Sequence, residues 1–182
     1  MKKYKLTKET LQFAGRTLHR IKALKDFDSI KAGEFGGWIE NEKNLSQDDN
    51  AWIYGNAMVF DNAEVYDNAK VYGNANVSGN AEVSGNANVS GYAKVYGNAA
   101  IKGDAKVHDA VDYIVFKNFW SSGRYFTWTS SNNKWSVGCF YGTGEELIKK
   151  AYADSEKSGR EYERVVRYVE SILADEKKEK SN

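Results

Sequence analysis

Between Ala51 and Ala110 the apolar positions recur with a period of six. The ten units read AWIYGN, AMVFDN, AEVYDN, AKVYGN, ANVSGN, AEVSGN, ANVSGY, AKVYGN, AAIKGD and AKVHDA. Ala opens each unit, Val or Ile stands third, and a Gly/Asp–Asn pair closes most of them. Residues two apart in an extended strand share a side, so Ala and the aliphatic point one way and the residues flanking the aliphatic point the other. The closing pair tolerates the backbone angles of a corner. A fixed short period of this kind predicts a solenoid of short strands and corners, with three units to a coil and a little over three coils.

The pattern changes on both sides of this block. Before it, Tyr4, Leu6, Leu11, Phe13, Leu18, Ile21 and Leu24 mark short extended segments about the turn Ala14-Gly15-Arg16. Ile39 and Leu45 fall six apart, which predicts an irregular first coil beginning near Gly37 and interrupted by the polar stretch Ser46 to Asn50. The N-terminal segment is the expected lid on an otherwise open sheet end. After the block, three β-rich runs (Tyr113 to Trp120, Arg124 to Ser130, Trp135 to Tyr141) are separated by hairpin-turn signals at Ser121-Ser122-Gly123 and Ser131 to Lys134. Thr143 with Glu146, and Ser158 with Glu161, read as capping boxes that open two helices. The second helix carries an apolar stripe of Tyr162, Val165, Val166, Val169, Ile172 and Leu173. The organisation expected is a cap over residues 1–36, a solenoid over 37–110, an α+β domain over 111–175 and a charged tail over 176–182, with fraying from Asp175.

An aliphatic residue with a small residue four places on, as in Val59 with Ala63 and Val65 with Ala69, resembles the hexapeptide repeat of left-handed parallel β-helices. The left hand is what the resemblance implies; crossover rules alone favour the right. The stretches YKLT, RIKALKDFDSIKAGEFGGWIE and LSQDDNAWIYGNA are similar to the start of bacterial and phage hexapeptide-repeat proteins that often carry an acetyltransferase label. VGCFYGTGEELIKKAY and GREYERVVRYVE are similar to a small domain of uncharacterised phage and prophage proteins. The resemblance implies a mainly β fold: a left-handed parallel β-helix with an N-terminal β-rich cap and a C-terminal α+β domain of antiparallel sheet and two helices. It also implies prisms associated side by side as trimers, and a viral or prophage source.

Charge narrows the partners. The 182 residues carry 26 basic and 25 acidic side chains, a net charge of +1, so no global field recruits nucleic acid or an anionic membrane. No apolar run approaches the roughly 18 residues of a membrane span and no signal-peptide core is present, so a cytoplasmic protein is expected, host-cytoplasmic if phage-encoded. Cys139 has no second cysteine to pair with and reads as a small buried hydrophobe between Val137 and Phe140. One cysteine and two distant histidines make no zinc site, and the glycines open no phosphate loop, so neither metal nor cofactor is expected.

Three functions compete. Trimeric hexapeptide acyltransferases, as the resemblance implies, use a His base at a subunit boundary and a loop projecting from the prism; His108, outward after Val107, is the candidate here. No loop interrupts the ten units, which favours a non-enzymatic binding protein instead. On that reading it oligomerises through the β-helix and binds a host protein, such as a component of a defence system. The outward Trp52, Tyr54, Met58, Phe60, Tyr66, Tyr72 and Tyr96 form an apolar set that either the cap or a second subunit must cover. Trp120, Arg124, Tyr125, Trp128 and Trp135 form the candidate partner-binding face. The third reading is an oligomer that sequesters a small ligand, such as a nucleotide, between subunits.

Overall fold

The computed structural model describes residues 1–179 and divides the chain into two compact units. The first comprises residues 1–114 with 129–132, and the second comprises 115–128 with the chain from Asn133 onward. Among the described residues, no helix is long and apolar enough to cross a membrane.

The first unit is a parallel β-solenoid of about 4 turns, a left-handed β-helix with three walls. Its ten two-residue strands, β4 to β13, fall one per unit from Trp52–Ile53 to Lys106–Val107. One wall stacks β13-β10-β7-β4, another β12-β9-β6, and the third carries β5-β8-β11. Registers keep the period: Ile53 pairs with Val71, Val71 with Val89, and Val89 with Val107. Ala and the aliphatic of every unit are sealed inside, so the interior is a stack of small and branched apolar groups.

The corners explain the closing pair. Gly73, Gly79 and Gly85 sit at positive φ, and a Cβ on Gly85 would come within 2.8 Å of the Gly103 nitrogen one coil on. Asp61 and Asp67 take the same left-handed conformation (φ 60° and 56°). Their carboxylates accept from the Gly79 and Gly85 N–H groups of the next coil, at 3.1 and 2.9 Å. The Asn that follows bonds along the column: Asn50 Nδ2 donates to Asn68 Oδ1 and Asn68 Nδ2 to Asn86 Oδ1.

The N-terminal segment is a hairpin of β1 (Tyr4–Phe13) and β2 (Arg16–Ala23), turned at Ala14 and Gly15, both at positive φ. The strand β3 (Phe35–Ile39) pairs antiparallel with β2 and parallel with β5 (Met58–Val59), so the cap prolongs one wall by hydrogen bonding. Leu45 bridges in parallel to Val65, which completes the irregular first coil anticipated from Ile39 and Leu45. The polar stretch between them and Trp52 is pinned by Lys3, whose buried Nζ donates to the Asp48 and Ala51 carbonyls at 2.9 Å each. At the other end, Ser131 accepts from the Lys106 N–H and Tyr113 donates to the Lys94 carbonyl, occupying backbone groups of the last coil.

The C-terminal sheet runs in order β14-β15-β16-β17, with β14 Tyr113–Lys117, β15 Tyr125–Thr129, β16 Lys134–Val137 and β17 Phe140–Gly142. The third β-rich run of the sequence is therefore two strands, folded back at Gly138 (φ 57°) with Val137 paired to Phe140. Cys139 lies in that tight turn and is exposed, contrary to the buried position expected from its apolar neighbours. Two helices follow, α1 (Gly144–Asp154) and α2 (Glu156–Glu179). The Thr143–Glu146 capping box forms as expected. The second box does not: α2 starts two residues before Ser158, because Ser155 Oγ already accepts from the Ser158 N–H. The helix also runs through the first residues of the charged tail, and 180–182 lie outside the described residues.

Candidate functional site

His108 stands on the wall formed by β4, β7, β10 and β13, one residue past Val107, and is exposed. Its Nδ1 lies 3.1 Å from Ser90 Oγ, and its ring rests on Gly91, where an added Cβ would fall 2.5 Å from Cε1. Its backbone N–H donates to Asp112 Oδ2 at 2.7 Å. The imidazole is thus held by one hydroxyl and lies over one glycine. In a single chain this is an exposed imidazole on an open wall.

The outward aromatics of the early coils separate into two groups. Trp52 and Phe60 are buried within the chain, Trp52 edge-on to Tyr4 and Phe27, and Phe60 edge-on to Phe13 with Arg16 above it. Of the two coverings that the sequence left open, the cap takes these two, so neither presents a ring to a second subunit. Tyr54, Met58 and Tyr66 are half-buried, and Tyr66 donates to Glu82. Tyr72 and Tyr96 are exposed, together with Tyr92, which stands at a corner where the period has Asn.

The candidate face of the C-terminal unit separates likewise. Trp128 and Trp135 are buried: Trp128 Nε1 donates to Asn133 Oδ1, and Trp135 packs edge-on to Phe126. Phe126 in turn meets Tyr162 of α2 at 4.6 Å between ring centroids. Phe126, Thr127, Trp128 and Thr129 are all buried, so β15 is covered on both faces. These tryptophans therefore serve the core. Arg124 is exposed and Tyr125 half-buried under the Lys117 ammonium. Trp120 is 63% exposed and its neighbour Phe119 is 73% exposed.

Trp120 borders a groove of about 440 Å³ lined by Phe116, Trp120, Val165, Tyr168, Glu161 and Arg164. Phe116 and Tyr168 meet edge-on, and Tyr168 is 56% exposed. The aromatic run is legible in the sequence, and Glu161 only as a helix cap, whereas Tyr168 and Arg164 carry no mark there. The available signal was the helical period itself: Glu161, Arg164, Val165 and Tyr168 lie three and four apart, on one flank of the stripe that packs the sheet.

No protein-family profile matches the chain. The chain is 39% identical over 62 residues to a protein of Escherichia coli (strain K12) named Uncharacterized acetyltransferase YdcK. The alignment covers 30% of this chain and 19% of that protein's length. The solenoid is a hexapeptide-repeat β-helix. The resemblance seen in the sequence and the stacked coils agree on that point. Among the described residues, no group of three His, Cys, Asp or Glu side chains is placed to hold a metal ion.

Proposed function

We propose that this chain acts by binding a protein partner through the C-terminal groove and self-associates through its solenoid walls. The observation that carries the first part is the exposure of Trp120 and Phe119 beside an apolar groove built on two secondary-structure elements. Burying one aromatic ring removes about 150–250 Å² from water, so anchors of this kind dominate interface energetics. Glu161 and Arg164 line the same groove, so a partner presenting an apolar anchor flanked by polar groups of both signs is favoured. A host protein is the partner class that the phage-type resemblance suggests, with a component of a defence system as one instance. Quantitative capture from host lysate by the whole chain and by its Trp120→Ala form tests this. Loss of a specific protein with Trp120→Ala is expected, and equal recovery by both forms would remove the groove from the proposal.

Self-association is supported by the exposed tyrosines of the solenoid, and the hexapeptide resemblance favours a trimer. Light scattering at micromolar concentration tests it, and a monomer would refute it. An acyl-transfer reading is favoured by the name of the E. coli relative and by the exposed His108 imidazole. In that reading His108 Nε2 takes the proton of the acyl acceptor at a subunit boundary, where a neighbouring wall supplies the missing side of the cleft. Calorimetric binding of acetyl-CoA that is lost in His108→Ala would establish it over the binding reading.

A further inference from the structure

A second site lies where the cap meets the first solenoid corner. Asp28, Asn50, Asn68, Lys70, Asn86 and Asn88 line a polar groove of about 370 Å³. The three corner asparagines are joined head to tail, Asn50 Nδ2 to Asn68 Oδ1 at 3.0 Å and Asn68 Nδ2 to Asn86 Oδ1 at 3.2 Å. Asn88 Nδ2 donates to the Asn86 carbonyl, which turns its own Oδ1 away from the backbone. A primary amide has two N–H donors and two acceptor lone pairs. The column uses one donor and one lone pair of Asn68 and leaves one of each, fixed in direction by the bonds above and below. Along the column this pair repeats at the coil spacing of about 4.8 Å.

Charge decides the class of ligand. Lys70 Nζ donates to Asp28 Oδ2 at 2.8 Å. That bond and the attraction behind it lower the Asp28 carboxyl and raise the Lys70 ammonium, so both stay ionised at neutral pH and cancel. The groove therefore offers donors and acceptors without net charge. A phosphate or carboxylate would find acceptors it cannot use, whereas hydroxyl groups, each both donor and acceptor, match the array. We propose that this groove binds a neutral oligosaccharide, its successive sugar hydroxyls taken up by successive amides of the corner column.

The test uses the full chain and two probes, cellotetraose and maltotetraose, read through the side-chain amide resonances of the asparagines. One of the sugars is expected to shift the Asn50, Asn68, Asn86 and Asn88 amides and leave Asn56 and Asn74, on another corner, in place. Asn88→Ala lies off the column and is expected to weaken that binding about tenfold, the loss of one or two hydrogen bonds. Asn74→Ala is expected to leave it unchanged, as is Trp120→Ala, which separates this site from the protein-binding groove. No shift with either sugar at millimolar concentration would overturn the proposal, and so would equal shifts at Asn74 or binding of inorganic phosphate alone.

Discussion

The corner glycines allow the stacking distance of the solenoid to be measured by substitution. Gly79 and Gly97 are both at φ +70°, one coil apart in the same corner column. An Ala at either residue takes a left-handed conformation at a cost of about 1–2 kcal/mol. They differ in what lies beneath. A Cβ on Gly79 would meet the Gly97 nitrogen at 2.9 Å and its oxygen at 3.1 Å, whereas a Cβ on Gly97 meets nothing within 4 Å. The coils cannot simply move apart, because Ser78 N–H to Val95 O and Asn80 N–H to Gly97 O bracket the contact at 2.9 and 2.7 Å. Overpacking of this kind adds about 1–3 kcal/mol. Gly97→Ala is therefore expected to cost about 1 kcal/mol, and Gly79→Ala about 2–4. Gly79→Asp is the discriminating third variant. Asp61 holds the equivalent place one coil earlier, and its carboxylate accepts the Gly79 N–H at 3.1 Å. The substitution would give the Gly97 N–H the same acceptor and should recover about 1 kcal/mol or more of the loss seen with Ala. Urea unfolding followed by circular dichroism gives the three midpoints. Equal loss for Gly79→Ala and Gly97→Ala, or an Asp variant no better than the Ala one, would refute the account of the corner.

Four further outcomes are expected. Burial holds the Lys3 ammonium down at about 8 from an ordinary 10.5, so between those values the unfolded chain holds the proton more tightly and stability rises with pH. The slope is at most about 1.4 kcal/mol per pH unit, and above pH 10 the buried Tyr4 phenol, its ionisation raised by burial, opposes it. Lys3→Met should abolish the rise between pH 8 and 10 in thermal melts, and an unchanged slope would show that another group causes it. Thr143→Ala removes the acceptor of the Glu146 N–H and should cost about 1 kcal/mol in urea unfolding; no loss would show that the α1 box is ornamental. The Thr143 backbone N–H also holds the Glu146 carboxyl below its ordinary range, so this contribution is present above that range and is lost as pH falls through the lowered value; helicity measured down an acid titration should show it. Tyr92→Asn restores the residue that the period calls for beneath Asn74 and should raise the unfolding midpoint by up to about 1 kcal/mol, whereas a lowered midpoint would assign Tyr92 a packing role in the monomer.

What the sequence made legible follows the period. The rotation of units three to a coil, the irregular coil from Ile39 to Leu45 and the corners at the closing pair all depend on spacing alone, and spacing survives folding. Composition alone did not separate surface from core. Trp128 and Trp135 share the residue types of Trp120, and only the sheet order, with β15 and β16 as its inner strands, sends them into the core. Cys139 has apolar neighbours on both sides, yet a two-residue turn needs its tip outside. The cover over Trp52 depends on Phe27, a residue in a loop with no period at all.

Function is harder to read here than fold, for the same physical cause. Every inward position of a solenoid is constrained by the coil above and below, so Ala and Val recur and say nothing beyond their own stacking. The outward positions are not packed into such a stack and differ from unit to unit: Trp52, Lys70, Asn88 and Lys106 occupy one column, and Tyr54, Tyr72, Ser90 and His108 another. A ligand that follows the period can be inferred from one repeat, as the asparagine column allows. A partner that reads the aperiodic features, such as the Trp120 groove or His108, has to be identified by experiment. If self-association is confirmed, its interface should fall on the walls where the outward columns are most tyrosine-rich, since a cap already covers Trp52 and Phe60 and none reaches Tyr72 or Tyr96. Tyr96→Glu would then shift the assembly toward monomer while leaving the urea midpoint of the monomer unchanged, and an assembly indifferent to that charge would place the interface elsewhere.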